Sequence, residues 1–421
     1  MEKRPADLLI KNASQLLTLA GPSRPRKGQE MEDIGVVTNG AVAINQGEIV
    51  SVGTTERVTE EINLLPYAEV VDAYGKVVMP GIIDPHTHVV FGGTREEEFE
   101  QRLQGADYLE ILEKGGGILS TVRETREASE QELIHKAKRN IKYFLNCGVT
   151  TLEVKSGYGL DLETELKQLR VAKKLPQLMP VDVVLTFLGA HAFPPEYKDR
   201  REEYVDLVVN QMLPAVAEEG LAEFCDVFCE EKIFTIEQSR RVLEAGKSYG
   251  LKPKLHADEI VPYGGAELAA EVQAVSADHL LQISSTGIEK MAKEQVIGVM
   301  LPGTAFFLMK NQYAPAREMI EAGVPLALST DRNPGSSPTE AVNLVLSLAC
   351  LQMRMTPAEA ITAATLNAAY AVERGTYLGS LEEGKQGDVL LLDAPNYKYI
   401  PYHYGVSLVD KVYKKGTRVV I

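Results

Sequence analysis

Four side chains in this sequence have the types and placement to hold one metal ion. Asp84-Pro85-His86-Thr87-His88 closes a short apolar run. On extended backbone, side chains two apart point the same way, so both imidazoles can reach one ion. His256 directly follows a second apolar run, and Asp331 follows a third within Ser329-Thr330-Asp331-Arg332-Asn333-Pro334-Gly335. Three imidazole nitrogens and one carboxylate oxygen suit zinc, and iron or manganese where further ligands join. A bare H-x-H is a weak signal, and the distribution of histidines strengthens it. Of the 7 histidines, His86, His88, His191, His256 and His279 fall at or just beyond the ends of apolar runs, leaving only His135 and His403 elsewhere.

An ion held this way acidifies water, and neighbouring groups then divide the proton work. Glu259, three residues beyond His256, can carry a proton between the attacking water and a nitrogen of the substrate. Asp258 is its rival, and a solvated loop carboxylate is the ordinary alternative for either. His279, closing Ala277-Asp278-His279, can serve as a fourth histidine ligand, orient the water, polarise a carbonyl, or be purely structural. Asp331, ligating through one oxygen, can take a proton on the other.

The elements that must position these groups follow one rhythm between about residues 75 and 335. Eight short apolar runs occupy 77–83, 149–154, 181–188, 223–228, 252–255, 274–277, 296–300 and 325–329. Most are nearly continuous in apolar residues, as parallel strands covered on both faces are. Segments with helical spacing lie between them, among them 130–147, 161–174, 201–218 and 235–249. Eight alternations of strand and helix predict a (β/α)8 barrel, whose active end is the C-terminal end of its strands. The termini differ. Residues 41–53 read as a hairpin around Asn45-Gln46-Gly47, and 384–394 and 409–421 read as strands. A small β-sandwich built from both ends accounts for them, giving domain bounds of 1–75 and 375–421 around a barrel over 76–374. A capping box with proline at the first helical position, Thr356-Pro357-Ala358-Glu359, opens a helix expected to run to about Val372.

The bulk numbers exclude several classes. A chain of 421 residues can bury a barrel-sized core, and 45% hydrophobic with 24% charged residues is ordinary for a globular protein. With 44 Lys and Arg against 59 Asp and Glu, the net charge of −15 disfavours a nucleic-acid partner. No signal-peptide core opens the chain, and no stretch reaches the ~20 apolar residues of a membrane span. Cys147, Cys225, Cys229 and Cys350 form no C-x-x-C pair and read as reduced, buried thiols, so the cytoplasm is the expected compartment.

The run from Val78 through Pro80-Gly81-Ile82-Ile83-Asp84 to His88, with the closing Gly379-Ser380-Leu381-Glu382-Glu383-Gly384 and Gly387-Asp388-Val389-Leu390, resembles the amidohydrolase superfamily over nearly the whole chain. The resemblance implies a barrel flanked by a β-sandwich. Binuclear members carry a carboxylated lysine on the fourth strand, but here that strand ends without one, and Lys155 follows the second. A mononuclear site, as in the deaminase-like branch with its H-x-x-E motif, is therefore implied. Further segments are Phe91-Gly92-Gly93-Thr94-Arg95, Lys114-Gly115-Gly116-Gly117-Ile118, Lys155-Ser156-Gly157-Tyr158-Gly159-Leu160, Leu188-Gly189-Ala190-His191 and Asp331 through Ser337. They are similar to the members that open the ring of imidazolone propionate in histidine degradation. By that resemblance Arg95, Tyr158 and His191 contact the small-molecule substrate, Asn333, Gly335 and Ser336 line the eighth-strand side of its pocket, and a homodimer is common. A guanidinium fork suits the substrate's carboxylate tail, although an ion pair with Glu96, Glu97 or Glu98 is the plain alternative for Arg95. The glycines 115–117 can let backbone approach the substrate or simply form a turn.

Overall fold

The computed structural model describes residues 3–105 and 116–420, so Lys114 and Gly115 of the glycine-rich segment lie outside the described residues. Eight parallel strands run in chain order around the centre: Ile82–Asp84, Val149–Lys155, Asp182–Ala190, Phe224–Cys229, Lys252–Ala257, Ser276–His279, Ile297–Met300 and Leu326–Leu328. All eight expected runs are present, with one correction. The first run is two strands: Val77–Pro80 joins another sheet, and only Ile82–Asp84 enters the barrel. Gly81 sits at the break, where a Cβ would collide with Thr150.

The ladder between the last strand and the first is replaced by side chains. The Asp84 carboxylate accepts from the Ser329 hydroxyl and from Thr330 Oγ1 at 2.6 Å, and Ser329 Oγ lies within 2.8 Å of His86 O as well, sharing its one proton between the two acceptors. His88 N completes the seam on Arg332 O at 2.8 Å. Asp84 is fully buried, and its charge is matched by these donors rather than by a cation.

Local chemistry explains the surrounding helices. Ser129 with Glu132, Thr235 with Gln238 and Thr356 with Glu359 each make both bonds of a capping box, which starts Glu130–Asn146, Ile236–Ser248 and Pro357–Ala364. The helix expected over 201–218 contains a wider turn at Val208–Met212, ahead of Pro214, which has no N–H to continue the ladder. The helix expected to reach Val372 breaks at Thr365, whose φ of −125° and ψ of −87° are not helical, and resumes as Leu366–Ala371.

The terminal strands form two sheets. One is four-stranded and wholly N-terminal, and contains the expected hairpin of Gly40–Asn45 and Glu48–Thr54. The other is six-stranded and mixes Gln15–Leu17, Val36–Val37 and Val77–Pro80 with Val389–Leu392, Val409–Lys414 and Thr417–Arg418. Both share a core that includes Leu8, Ile10, Val42, Val78, Leu391 and Tyr413, so residues from both ends close it. All four cysteines are free, but only Cys225 and Cys229 are buried; Cys147 and Cys350 are half-buried.

Candidate metal centre

Every histidine singled out at a strand end converges on the C-terminal mouth of the barrel. His86 and His88 follow the first strand, His191 follows the third, and His279 is the last residue of the sixth. His256 lies inside the fifth strand, one residue before its end, rather than after it. Ring centroids of His86 and His256 are 4.5 Å apart, those of His256 and His279 5.2 Å, and those of His86 and His88 5.3 Å. Asp331 follows the eighth strand, with Oδ1 3.5 Å from His86 Nε2 and 3.6 Å from His88 Nε2. Two donor sets lie within ion-binding reach, His86 with His88 and Asp331, and His86 with His256 and His279.

The donor chemistry fits a cation. His86 Nε2, His88 Nδ1 and His279 Nδ1 are buried nitrogens with no hydrogen-bond partner among the described residues. Such orphaned atoms are costly unless something binds them. Burial pushes the Asp331 carboxyl up to about 7, although Thr304 Oγ1 donates to its Oδ2 at 2.6 Å. A positive ion would supply the counter-charge that this carboxylate and these lone pairs lack. Both His279 and Asp331 hold positive φ, 77° and 54°, which is uncommon for residues with side chains and turns them into the mouth.

Three further imidazole nitrogens have protein partners. His86 Nδ1 donates to Asp278 Oδ2 at 2.5 Å, and His256 Nδ1 to Asp226 Oδ1 at 3.2 Å. His191 Nδ1 donates to Gly157 O at 3.0 Å, and burial holds its pKa down at about 3, so its ring is neutral. Neither aspartate was singled out from sequence. The available signal was alternation: each shares a strand face with a polar neighbour or lies opposite one, as in Ser276-x-Asp278 and Lys254-x-His256.

Glu259 and Asp258, the two candidate proton carriers, separate clearly. Asp258 is not a solvated loop carboxylate. It is buried, and it accepts from the amides of Tyr263, Gly264, Gly265 and Ala266 at 2.8–3.1 Å, so its lone pairs are committed to backbone. Glu259 keeps a partly open side chain, its Oε1 lies 3.7 Å from His279 Nδ1, and burial followed by the nearby Asp331 charge pushes it up to about 7. A carboxyl near neutrality can both accept and release a proton.

Around this centre the remaining candidates take different stations. Tyr158 is buried with its ring 5.4 Å from that of His191, and its loop is pinned by Glu165, which accepts from the amides of Gly157, Gly159 and Leu160. Arg95 pairs with Glu98 through Nε at 2.9 Å and Nη2 at 2.8 Å, leaving Nη1 free of that pair. Its guanidinium lies where a Cβ on Gly335 would stand. Asn333 shapes its own loop: Oδ1 accepts from Gly335 N and Ser336 N at 2.8 Å, and Nδ2 donates to Ser336 Oγ at 2.9 Å.

A sequence model of the amidohydrolase family matches residues 77–419. Among similar proteins, the imidazolonepropionase of Geobacillus kaustophilus (strain HTA426) is 57% identical over 415 residues, covering 98% of both chains. That of Parabacteroides distasonis is 50% identical over 409 residues, covering 97% of this chain and 98% of the relative. Among solved structures, a zinc-bound adenosine deaminase from Xanthomonas campestris superposes with TM-score 0.73 at 20% identity, over 100% of this chain and 94% of that one. Guanine deaminase from E. coli does so with TM-score 0.73 at 13% identity, over 98% of each, a likeness of fold alone.

Proposed function

The chain belongs to the amidohydrolase family, and from that premise we propose that it hydrolyses the ring amide C–N bond of 4-imidazolone-5-propanoate, giving N-formimidoyl-L-glutamate in histidine degradation. The observation that carries this reading is the buried cluster of orphaned imidazole nitrogens with Asp331, followed by an eighth-strand loop whose Gly335 packs against the Arg95 guanidinium, a group suited to a carboxylate tail. There His86, His88, His256 and Asp331 would hold one metal ion, zinc or iron, with manganese able to use the same donors. When bound, the ion supplies Lewis-acid chemistry, polarising a carbonyl and acidifying water.

The chain's own groups do the rest. Arg95 binds the propionate through its free edge, while Tyr158, His191, Gly335, Asn333 and Ser336 enclose the ring. Asp331 takes a proton from the attacking water on the oxygen not facing the histidines. Glu259 delivers a proton to the departing ring nitrogen, and its position beside His279 Nδ1 supports that role. His279 either completes the donor set or stabilises the developing oxyanion. The substrate is a small molecule, and no described helix is long and apolar enough to cross a membrane. The same reading places the enzyme in the cytoplasm, as a homodimer without a nucleic-acid partner, with a barrel over 76–374 and a sandwich from 1–75 and 375–421.

The test is turnover of freshly prepared imidazolone propionate before and after chelation, following formimidoylglutamate by mass. Chelator-sensitive product restored by added metal is expected. Turnover of cytosine or guanine with ammonia release, and none of the imidazolone, would instead identify a nucleobase deaminase.

A further inference from the structure

Beneath the histidines the barrel encloses five charged side chains with no exposure to water: Glu153 and Lys155 on the second strand, Asp226 on the fourth, Lys254 on the fifth and Asp278 on the sixth. Their contacts form one continuous set. Lys155 Nζ lies 2.7 Å from Asp226 Oδ2, 2.9 Å from Glu153 Oε2 and 3.6 Å from Asp278 Oδ2. Lys254 Nζ donates to Glu153 Oε1 at 2.9 Å and to Pro85 O at 3.3 Å. Thr186 Oγ1 donates to Glu153 Oε1 at 2.6 Å, and Ser276 Oγ to Asp278 Oδ1 at 2.7 Å.

Such a set is a poor source of stability, because desolvating the charges offsets most of their attraction, and apolar side chains of equal volume would serve as well. Its effect is geometric. A ligand imidazole presents Nε2 to an ion reliably only when Nδ1–H has a fixed acceptor, which sets both tautomer and ring plane. Asp278 provides that acceptor for His86 and Asp226 provides it for His256. These two carboxylates and Glu153 crowd one small region, and like charges would drive them apart or draw them upward toward a cation. Among the described residues, Lys155 is the group that reaches all three.

We propose that Lys155 is a positioning residue of the metal centre: its ammonium clamps Asp226 and Asp278 so that they hold His256 and His86 with Nε2 turned toward the ion. Lys254 supports the clamp from the far side of Glu153. The inference rests on the metal-binding reading of His86 and His256 given above.

The experiment is zinc competition against a chromophoric chelator, run on apoprotein prepared by dialysis, with urea unfolding of the same apoprotein in parallel. Lys155→Met removes the charge and retains most of the side-chain length. Its zinc affinity should fall about 10- to 100-fold, the range for loss of a partner that orients a metal ligand. Asp278→Asn and Asp226→Asn keep the side-chain shape and should each weaken zinc about tenfold. If Lys155→Met does not fold, these two carry the test. Adding Asp278→Asn to Lys155→Met should cost less than the separate losses combined, since both act through His86. A merely structural role lowers apoprotein stability and leaves zinc affinity unchanged. Affinity within about twofold of wild type in every variant that folds would overturn the proposal. Wild-type protein that binds zinc no better than His256→Ala would instead remove the metal reading, and this inference with it.

Discussion

Two groups of buried carboxylates flank the candidate metal centre, and different partners satisfy them. Below the histidines, Glu153, Asp226 and Asp278 face ammonium, hydroxyl and imidazole groups. Beside them, Glu165, Glu230 and Asp258 face peptide N–H: three amides for Glu165, four for Asp258, and those of Glu231, Ile260 and Val261 for Glu230. The first group orients side chains that rigid strands already carry. The second gives shape to loops that have no ladder of their own, including those bearing Tyr158 and Glu259. A buried carboxylate thus has two uses here, and its partner decides which.

The contrast can be broken at several points. The largest effect is expected at the donors themselves. His256→Ala should leave no metal after dialysis and no measurable turnover, whereas Glu259→Gln should retain the metal and still lose turnover. Metal content by mass spectrometry beside initial rates distinguishes them, and a Glu259→Gln protein with normal rate would take that residue out of the chemistry. Next comes Asp258→Ala, which strands four amides at about 1–3 kcal/mol each before water relieves some of them. A loss of about 3 kcal/mol or more in urea unfolding is expected, with little change in the zinc affinity of the folded fraction. A large change in affinity would mean that the two groups are not separable.

Smaller effects sharpen the same distinction. Gly335→Ala would put a methyl group where the Arg95 guanidinium lies, so KM should rise about tenfold, equivalent to one charge-assisted hydrogen bond, with kcat nearly unchanged. A substrate analogue lacking the carboxylate should not register the substitution; if it does, the loop itself has moved. At the bottom of the scale stands the exposed pair Arg24–Glu30, held by two bonds of 2.7 Å. Arg24→Ala should change unfolding free energy by about 0.5 kcal/mol or less, because water screens what burial leaves unscreened elsewhere.

The fold was legible because strands covered on both faces must be apolar throughout, and eight such runs stand out against their helices. The histidines were legible because they end those runs. The supporting carboxylates were harder to see for the same reason: Asp226 lies among Phe224, Cys225, Val227 and Phe228, and a charge inside such a run looks like an interruption. Its meaning comes from Lys155, which lies 71 positions earlier in the chain and meets it only once the chain has folded back. Alternation offered a hint, since Glu153 and Lys155, Lys254 and His256, and Ser276 and Asp278 each share a strand face. The split of the 77–83 run could not be read, because both halves are equally apolar and only their partner sheets differ.

The seam at Asp84 has a consequence for how the protein is made. His86 and Asp331 become neighbours only when the first strand meets the eighth, and the Ser329 hydroxyl that locks the seam is 245 positions from Asp84. On a chain emerging from the ribosome N-terminus first, His86 and His88 are exposed long before His256 and Asp331 exist. A partial chain that stops short of residue 331 therefore lacks the carboxylate donor, and the full set of donors arrives together with barrel closure. Catalytic competence is in this sense a report that synthesis has passed the eighth strand.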